Sequence, residues 1–525
     1  MTERGHGRAS RLPLEGVDTD AVDAILDSGG EGAAGARFAL TNTFTGPNRF
    51  GRMFPRARRF RPASENLVAL AEGMVQERLT VLTPDTDDIK QVPAGFTYLG
   101  QFVDHDITRD PTVGFPPVGD PENLESLRTP RLELDSVYGM GPVDQPELYD
   151  PAFPATEARM RIGWTTDDGD ATIPKVLPND LPRATDGSRQ ALVGDDRNDE
   201  NLVLAQLHLA FLKLHNKVIA GVITPPGGET AFDAARRQVR WHYQWIVLHD
   251  FLPRIVDPVV LDDIRANGRK FYDFSGPPFD GTPYMPVEFS VAAYRMGHSM
   301  IRDLYNYNRR FSSDEGAFKT PATLRILFIF TGAGGFGGEP TLPSNWVIDW
   351  RRWFEVDDPG LLNHARKIDT KLAHGLTELP DLAPGEQQSV FASLTVRNLL
   401  RGRLIGLPSG QELARLMSVP VLTPAELTRG ESKVVARLGF DQETPLWFYL
   451  LKEAEVRAGG LHLGAMGSRL VGEVFLGMLE GDQESFLSVD PTWTPTLPAA
   501  QPGSFTMADL LRFVDDLNPI GPTNP

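Results

Sequence analysis

Residues 201–223, NLVLAQLHLAFLKLHNKVIAGVI, carry the strongest structural signal in the chain. Their apolar residues recur at spacings of three and four, which predicts a long apolar helix. The same periodicity appears in residues 67–79, 232–256, 287–305 and 468–482. Few segments alternate like strands, so the ordered part of the chain is predicted to be overwhelmingly helical.

Long irregular stretches separate these predicted helices. Pro and Gly recur in residues 108–130, 152–192, 306–345 and 484–506. We therefore predict a mainly α fold with very little β structure, built as one large helical domain over residues 66–485. Residues 1–65 are predicted to form an Arg-, Gly- and Pro-rich arm. Residues 486–525 are predicted to form a C-terminal segment that packs on the body or is partly flexible.

The composition excludes several classes of protein. The 525 residues include no cysteine, so disulfide scaffolds, thiolate metal sites and cysteine nucleophiles are ruled out. The formal net charge of −18 argues against nucleic acid as a partner. The N-terminus lacks the apolar core of a secretory signal, and no stretch approaches the roughly 20 apolar residues of a membrane span. These features predict a cytoplasmic protein.

Two local patterns each allow two interpretations. In the arm, six arginines between Arg49 and Arg61 interleave with three phenylalanines, which fits either an RNA-binding strip or an arm docked by its aromatic rings. Residues 331–338, TGAGGFGG, have the glycine spacing of a dinucleotide-binding loop and follow an apolar run that could be a strand. Glu339 and Pro340 come next instead of a helix, which favours a plain glycine loop.

Three histidine-containing segments are candidates for chemistry. His105 lies between Asp104 and Asp106, with Gln101 one helical turn earlier. Two carboxylates beside one histidine are costly to bury without a metal, an arginine or a covalent bond. An exposed polar helix end would explain the same pattern.

The second segment is residues 195–201, in which acids and Arg197 precede the long apolar helix. Acids are favoured at a helix N-terminus, so a plain cap accounts for much of this cluster. His208 and His215 follow on that helix and are predicted to be core or interface histidines. The third segment contains His298, which lies in an apolar stretch next to Gly297. A structural histidine or a haem-iron ligand would both suit this setting.

Four motifs in order resemble the animal-type haem peroxidases of the peroxidase–cyclooxygenase superfamily. They are GQFVDHD (100–106), GDDRNDEN with HLAFLKLHN (194–201 and 208–216), YRMGHSMIR (294–302) and RNLLRGRLIGLP (397–408). The likeness runs from about residue 65 to about residue 485 and looks like a bacterial-type member without disulfides.

The resemblance implies a haem b site with specific roles. His105 would be the distal histidine, Gln101 its hydrogen-bonding companion and Arg197 the distal arginine. His298 would bind the iron and donate a hydrogen bond to Asn398, while Arg401 would pair with a haem propionate. Asp104 and Glu200 match the two carboxylates that form ester bonds to haem methyl groups in family members.

The resemblance also implies a calcium site beside the distal histidine. Asp106 and the loop TPRLELDSVYG (129–139) match the family's calcium ligands. The side chains implied are Asp106, Thr129, Glu133 and Asp135, with the backbone carbonyl of Arg131. These oxygen donors suit Ca²⁺, whereas a capped turn would also explain two neighbouring acids.

Three departures from the family pattern stand out. Asn201 replaces a methionine that links to haem in some mammalian members, so that third bond cannot form. Leu404 and Ile405 replace an acid and a histidine often found in the family. Arg295 occupies the position of the cyclooxygenase tyrosine, and the neighbouring Tyr294 is turned by about 100° on a helix.

The implied activity is a peroxidase that reduces H₂O₂ and oxidises a small organic or halide donor through a ferryl intermediate. A haem-dependent fatty-acid dioxygenase and a non-catalytic haem-binding protein are the alternatives. The expected partners are therefore H₂O₂ and a small-molecule electron donor. Neither the donor nor the oligomeric state follows from the residues.

Overall fold

A computed structural model describes residues 49–80, 82, 88–109, 126–221, 226–314, 319–380, 390–431 and 433–521. Helices dominate this part of the chain, which confirms the mainly α prediction. The helices of seven or more described residues are α1 (Ser64–Met74), α2 (Gly95–Ile107), α3 (Leu202–Gly221), α4 (Ala231–Ile246), α5 (Pro258–Asn267), α6 (Leu394–Ile405), α7 (Gly410–Leu416), α8 (Leu446–Ala458), α9 (Ala465–Gly481) and α10 (Met507–Val514).

Shorter elements connect these helices. A π-helical segment, Val247–Phe251, continues α4 into the turn Leu252–Ile255, and the other single α-helical turns are Asp135–Tyr138, Gly141–Asp144, Val287–Ser290, Pro424–Leu427, Val434–Arg437 and Phe486–Val489. The strands are β1 (Phe50–Gly51), β2 (Asp88–Pro93), β3 (Met285–Pro286), β4 (Leu304–Tyr305), β5 (Ala322–Thr323) and β6 (His364–Arg366). They pair two by two, with β1 and β3 parallel and the other two pairs antiparallel.

Helix α3 lies at the centre of the fold. Fifteen of its 20 residues are buried, so it is apolar almost all round and needs partners on several sides. It contacts α2, α4 and α10. Helix α2 also contacts the 3₁₀ turns Asp196–Asp199 and Ala293–His298, while α8 and α9 pack against the second turn. Segments far apart in sequence thereby meet around one cavity.

The predicted helix over residues 287–305 is wrong. The chain instead forms the turn Val287–Ser290, the 3₁₀ turn Ala293–His298 and strand β4. Side chains satisfy parts of the backbone here: Trp447 Nε1, from α8, donates to Arg295 O, and Arg295 Nε, from the same stretch, donates to Ser290 O. Because residues 287–294 are all buried, their apolar spacing did not mark one helical face.

The described part of the arm, residues 49–65, lies against the body. Phe50 is buried, and Phe54 and Phe60 contact Phe271 and Phe440. Arg52 is buried as well, and it donates to the carbonyls of Ile405 and Gly406. These contacts favour docking by the aromatic rings. Residues 1–48 lie outside the described residues, and the domain boundaries near 65 and 485 stay predictions.

The glycine loop at residues 331–338 does not have the setting of a dinucleotide site. The preceding run forms the 3₁₀ turn Leu324–Phe328 and not a strand, and turns follow the loop instead of a helix. Gly332 N donates to both the carbonyl and the carboxylate of Asp199, so the loop supports the segment before α3. None of the described helices is long and apolar enough to cross a membrane.

Candidate active site

His105 and His298 line the same cavity, which has a volume of about 260 Å³. His105 comes from α2, and His298 ends the 3₁₀ turn Ala293–His298. Other residues singled out from the sequence also line this cavity: Gln101, Asp104, Arg197, Glu200, Asn201, Tyr294, Arg295 and Gly297. Apolar side chains complete the wall, among them Phe96, Phe251, Leu324, Phe328, Leu376 and Leu379.

The imidazole of His105 is held by Asn198. His105 Nδ1 lies 3.0 Å from Asn198 Oδ1. An amide oxygen only accepts, so Nδ1 carries the proton and Nε2 has its lone pair free. Burial, followed by the charge of Arg197, lowers the pKa of His105 to about 3, and the imidazole is therefore neutral.

Asn198 contacts a second histidine with its other amide atom. Asn198 Nδ2 lies 3.0 Å from His208 Nδ1, so the amide donates and His208 accepts. Neutral His208 then carries its proton on Nε2, which is buried without a hydrogen-bond partner. The side chains of Asn198 and His208 are both fully buried.

Arg197 is fixed by its neighbour Asp195. Its Nε and Nη2 donate to Asp195 Oδ1 and Oδ2 at 3.0 and 2.8 Å. Nη2 also donates to the carbonyls of Thr108 and His105, at 2.7 and 3.1 Å. Burial alone would lower the pKa of Arg197, but Asp195 outweighs it and raises that pKa. These contacts leave Nη1 for a ligand in the cavity.

The amide and carboxyl groups predicted near His105 form a connected edge of the cavity. Gln101 Nε2 donates to Glu200 Oε2 at 3.0 Å, and Asn201 Nδ2 donates to Gln101 Oε1 at 3.2 Å. Asn201 also begins α3, because its Oδ1 accepts from Leu204 N at 3.0 Å. Burial raises the pKa of Asp104, although Arg295 and Arg197 act in the opposite direction.

His298 contacts Asn398, as the sequence predicts, at 2.8 Å. The amide atom facing Nδ1 is the nitrogen Nδ2, whereas the predicted bond has Asn398 accepting. Oδ1 of the same amide faces Arg295 Nη1 at 3.4 Å. For Asn398 to accept a hydrogen bond from His298, its amide would have to turn by 180°. This turn exchanges the amide oxygen and the NH₂ group, which are of nearly equal size. Burial and the nearby Arg295 and Arg397 lower the pKa of His298 to about 3.

A second cavity of about 240 Å³ adjoins the first. Asp104, Arg197 and Arg295 line both cavities. Arg401 lies here with Arg109 and not in the first cavity, so basic side chains concentrate on this side. The position of Arg401 suits an acidic group that extends out of the first cavity.

The predicted calcium residues gather behind His105. Asp106 is fully buried and accepts hydrogen bonds from Leu134 N and Ser136 Oγ. Its pKa is raised by burial and by the acids Asp135 and Glu133. Thr129 donates to Glu133, and Arg128 pairs with Asp135 at 3.3 Å.

This cluster only partly fits a metal ion. One oxygen of Asp135, Oδ1, is buried without a partner. However, no group of three or more His, Asp or Glu side chains is arranged to hold a metal anywhere in the described ranges. Arg131 is partly exposed in the same loop.

Two neutral imidazoles on distant segments face one mainly apolar cavity, and acids and arginines lie at its rim. This arrangement defines a site for a flat metal-centred cofactor. The comparisons agree with this class. The family model for the animal haem peroxidase matches residues 117–439, and the chain belongs to that family of haem-dependent oxidoreductases.

The chain is similar in sequence to curated proteins named as peroxidases. Human thyroid peroxidase is 28% identical over 57% of this chain and 31% of its own length, and a peroxidase-like protein of Margaritifera margaritifera is 28% identical over 55% and 35%. The chain spans about a third of the length of these curated relatives.

The fold is similar to that of peroxidase A from Dictyostelium discoideum, with a TM-score of 0.58 and 16% identity, covering 91% of this chain and 94% of that one. A fatty acid alpha-dioxygenase from Oryza sativa has a TM-score of 0.51 at 15% identity, with coverage of 88% and 80%.

Sequence reasoning missed several residues of the site. Asn198 and Asp195 flank Arg197 closely, yet their roles depend on contacts with residues some 70 to 90 positions away. In the sequence Arg295 is distinguished only by its departure from the cyclooxygenase pattern, although it borders both cavities. The signal available was the density of polar residues in GDDRNDEN, which a helix cap also explains.

Proposed function

We propose that the chain is a haem-dependent peroxidase that reduces H₂O₂ and oxidises a small-molecule donor. The observation that carries the proposal is the shared cavity, in which His105 and His298 come together with Arg197. A haem binder without catalysis needs an iron ligand but has no need for the pair His105 and Arg197.

The residues present fit haem b. His298 is the candidate iron ligand through Nε2, with its Nδ1 proton donated to the oxygen of a turned Asn398 amide. Asp104 and Glu200 are the candidates for ester bonds to the haem, and both border the cavity. Arg401 in the adjoining cavity would pair with a propionate. Bound haem would supply the redox chemistry, accepting and delivering electrons between H₂O₂ and the donor.

The protein side of the reaction follows from the distal groups. His105 takes a proton from H₂O₂ at Nε2, the nitrogen that its bond to Asn198 leaves free, and returns it to the departing oxygen. Arg197 stabilises the negative charge that develops as the O–O bond breaks. Because Asp195 holds the guanidinium in place beforehand, this charge stabilisation needs little reorganisation.

Absorption spectroscopy and turnover test this function. Purified chain supplied with haem should bind it and oxidise a phenolic donor only when H₂O₂ is present. His298→Ala should lose the haem spectrum, while His105→Ala should keep the spectrum and lose turnover. Normal haem binding with no reaction to H₂O₂ would support a non-catalytic haem protein instead.

A fatty-acid dioxygenase is the second candidate. One stretch of the cavity wall is apolar, with Leu324, Phe328, Leu376 and Leu379, and would accept an acyl chain. Tyr294 also borders the cavity, but its hydroxyl donates to Gly100 O at 3.1 Å. Product analysis after supplying a polyunsaturated fatty acid with O₂, against H₂O₂ with a phenol, separates the two activities.

We also propose a calcium ion at Asp106, Thr129, Glu133 and Asp135 with the carbonyl of Arg131. The unpartnered oxygen of Asp135 and the gathering of buried acids support it. Ligation would require Thr129 and Glu133 to give up their mutual hydrogen bond.

A further inference from the structure

Three buried side chains form a continuous hydrogen-bonded chain that begins at the cavity. His105 Nδ1 donates to Asn198 Oδ1, and Asn198 Nδ2 donates to His208 Nδ1, each over 3.0 Å. All three residues are buried, and Asn198 and His208 are fully so. Water therefore has little access to substitute for any of these partners.

Each partner in this chain dictates the proton positions of the next. When Asn198 accepts from His105, its nitrogen must face His208, because the two amide atoms point in opposite directions. His208 must then offer a bare Nδ1. The tautomer of His208 is thus coupled through one amide to the tautomer of His105, although the two imidazoles do not share a hydrogen bond.

We propose that Asn198 and His208 are positioning residues that keep the proton of His105 on Nδ1, so that a bare Nε2 faces the cavity. This inference deepens the proposed peroxidase function and rests on it. Reversing the amide would require His208 to carry its proton on Nδ1 instead of Nε2, and it would place the His105 proton on Nε2, where the imidazole could not accept a proton from H₂O₂.

The burial of His208 explains why the Asn198 amide can keep one orientation. Neither Asn198 nor His208 is exposed, so a reversal requires the amide to turn and both imidazoles to exchange protons between their nitrogens. His208 also packs against Phe102, with ring centroids 6.3 Å apart, and Phe102 stacks on Phe211. These rings restrict the rotation of the His208 side chain.

The tautomer can be read with carbon monoxide on the haem-loaded, reduced protein. A protonated Nε2 would donate to the bound carbon monoxide and lower its C–O stretching frequency, whereas a bare Nε2 would not. We expect His105→Ala to leave the wild-type frequency nearly unchanged. We expect His208→Leu to lower it, because the Asn198 amide then loses the acceptor that fixes its direction. A wild-type frequency that rises in His105→Ala would overturn the proposal.

Conservative and matched variants separate positioning from general damage. His208→Asn keeps an acceptor close to the position of Nδ1 and should restore the wild-type frequency. His215→Leu is the matched control, because His215 is also fully buried on α3 but contacts Tyr138 and Ala158 instead of Asn198. A low frequency in His215→Leu equal to that in His208→Leu would overturn the proposal. Thermal unfolding of each variant checks that it folds.

Cyanide binding to the ferric protein provides a second readout. Hydrogen cyanide must transfer its proton to a base as it binds, so a bare Nε2 accelerates association. Asn198→Ala and His208→Leu should each slow association by roughly 10- to 100-fold, the usual cost of losing a partner that orients a functional histidine. The double variant should be no slower than the slower single variant, because the two residues act as one unit.

The outcomes distinguish this inference from the proposed function. If His105→Ala does not slow cyanide association, the distal role of His105 fails, and the peroxidase proposal fails with it. If His105→Ala slows association but Asn198→Ala and His208→Leu do not, only the positioning role is overturned.

Discussion

Asp195 holds the guanidinium of Arg197 through two parallel hydrogen bonds, from Nε to Oδ1 and from Nη2 to Oδ2. The same fully buried carboxylate also accepts from Arg128 and forms an ion pair with Arg109. One carboxylate therefore compensates three cations. Burial opposes its charge, but these arginines hold the pKa of Asp195 well below its usual range.

Asp195→Asn should destabilise the protein strongly, because it leaves buried guanidinium groups without their counter-charge. Loss of one partner of a buried ion pair costs about 3–5 kcal/mol. Asp196→Asn is the matched control, since Asp196 is partly exposed and its pair with Arg109 should contribute at most about 1 kcal/mol. Urea unfolding followed by circular dichroism measures both. Equal, small losses would show that Asp195 is not the centre of the cluster.

Arg197→Ala should leave the haem spectrum largely intact and reduce kcat/KM for H₂O₂ by about 10²-fold or more. The physical reason is the loss of one preorganised donor for developing negative charge. Stopped-flow reaction of the haem-loaded variant with H₂O₂ measures the effect. Arg237→Ala is the control, because Arg237 pairs with Glu229 at the surface. An unchanged rate in Arg197→Ala would refute its role.

Ester bonds through Asp104 and Glu200 would keep the haem attached after denaturation. We expect acid–acetone to leave the pigment on the wild-type chain. Asp104→Asn or Glu200→Gln should each retain one bond, and the double variant should release all of the pigment. Mass spectrometry of the extracted polypeptide checks the number of links. Free haem from the wild-type chain would show that both carboxylates serve only as polar contacts.

Calcium removal tests the acid cluster behind His105. A chelator should lower the unfolding temperature of the wild-type protein, because the ion would compensate the buried acids Asp106 and Asp135. Added Ca²⁺ should restore it. Asp106→Asn should unfold at a temperature that no longer responds to either addition. A wild-type unfolding temperature that ignores the chelator would argue for the capped turn.

His242 makes the C-terminal segment sensitive to acid. Its Nε2 accepts from the backbone N–H groups of Thr496 and Leu497, both at 3.1 Å, and Nδ1 donates to Gln238 O. Burial lowers the pKa of His242 from 6.5 to about 4, although the bond to Gln238 opposes the shift.

The sign of this dependence follows from the lowered pKa. As the pH falls, the unfolded chain binds a proton on His242 before the folded chain does. The stabilisation from neutral, buried His242 is therefore complete above pH 6.5 and is lost as the pH falls toward 4. The loss reaches about 3 kcal/mol by linkage. His242→Gln should show a shallower pH dependence of the unfolding free energy between pH 7 and 4, because it lacks the group that titrates there. Parallel curves for the two proteins would contradict the prediction.

The helices that could be predicted from the sequence are those whose apolar spacing has helix formation as its single explanation. The apolar run at 201–223 forms α3 at Leu202–Gly221, and the run at 468–482 forms α9 at Ala465–Gly481. The stretch at 287–305 does not form one helix, because side chains satisfy parts of its backbone in place of helical bonds, and one of these donors, Trp447, lies 152 residues from its acceptor. Local periodicity contains no information about such distant donors.

The candidate site also has a part that could be predicted and a part that could not. The resemblance implies that His105, Arg197 and His298 share one haem site, and these three residues line one cavity. It did not indicate that Asn198 connects His105 to His208, because the matched motifs assign no role to Asn198 or His208. It implied that the oxygen of Asn398 faces His298, whereas the structure places Nδ2 there and turns Oδ1 toward Arg295.

Asn201 combines two duties that a larger apolar residue could not share. Its Oδ1 caps the N-terminus of α3, and its Nδ2 donates a hydrogen bond that holds Gln101 beside Glu200. An Asn201→Met design, intended to add a third covalent tether to the cofactor, would remove the helix cap at a cost of about 1 kcal/mol and would release Gln101. A design that gains tighter attachment of the haem at this position would therefore lose rigidity in the backbone at the start of α3.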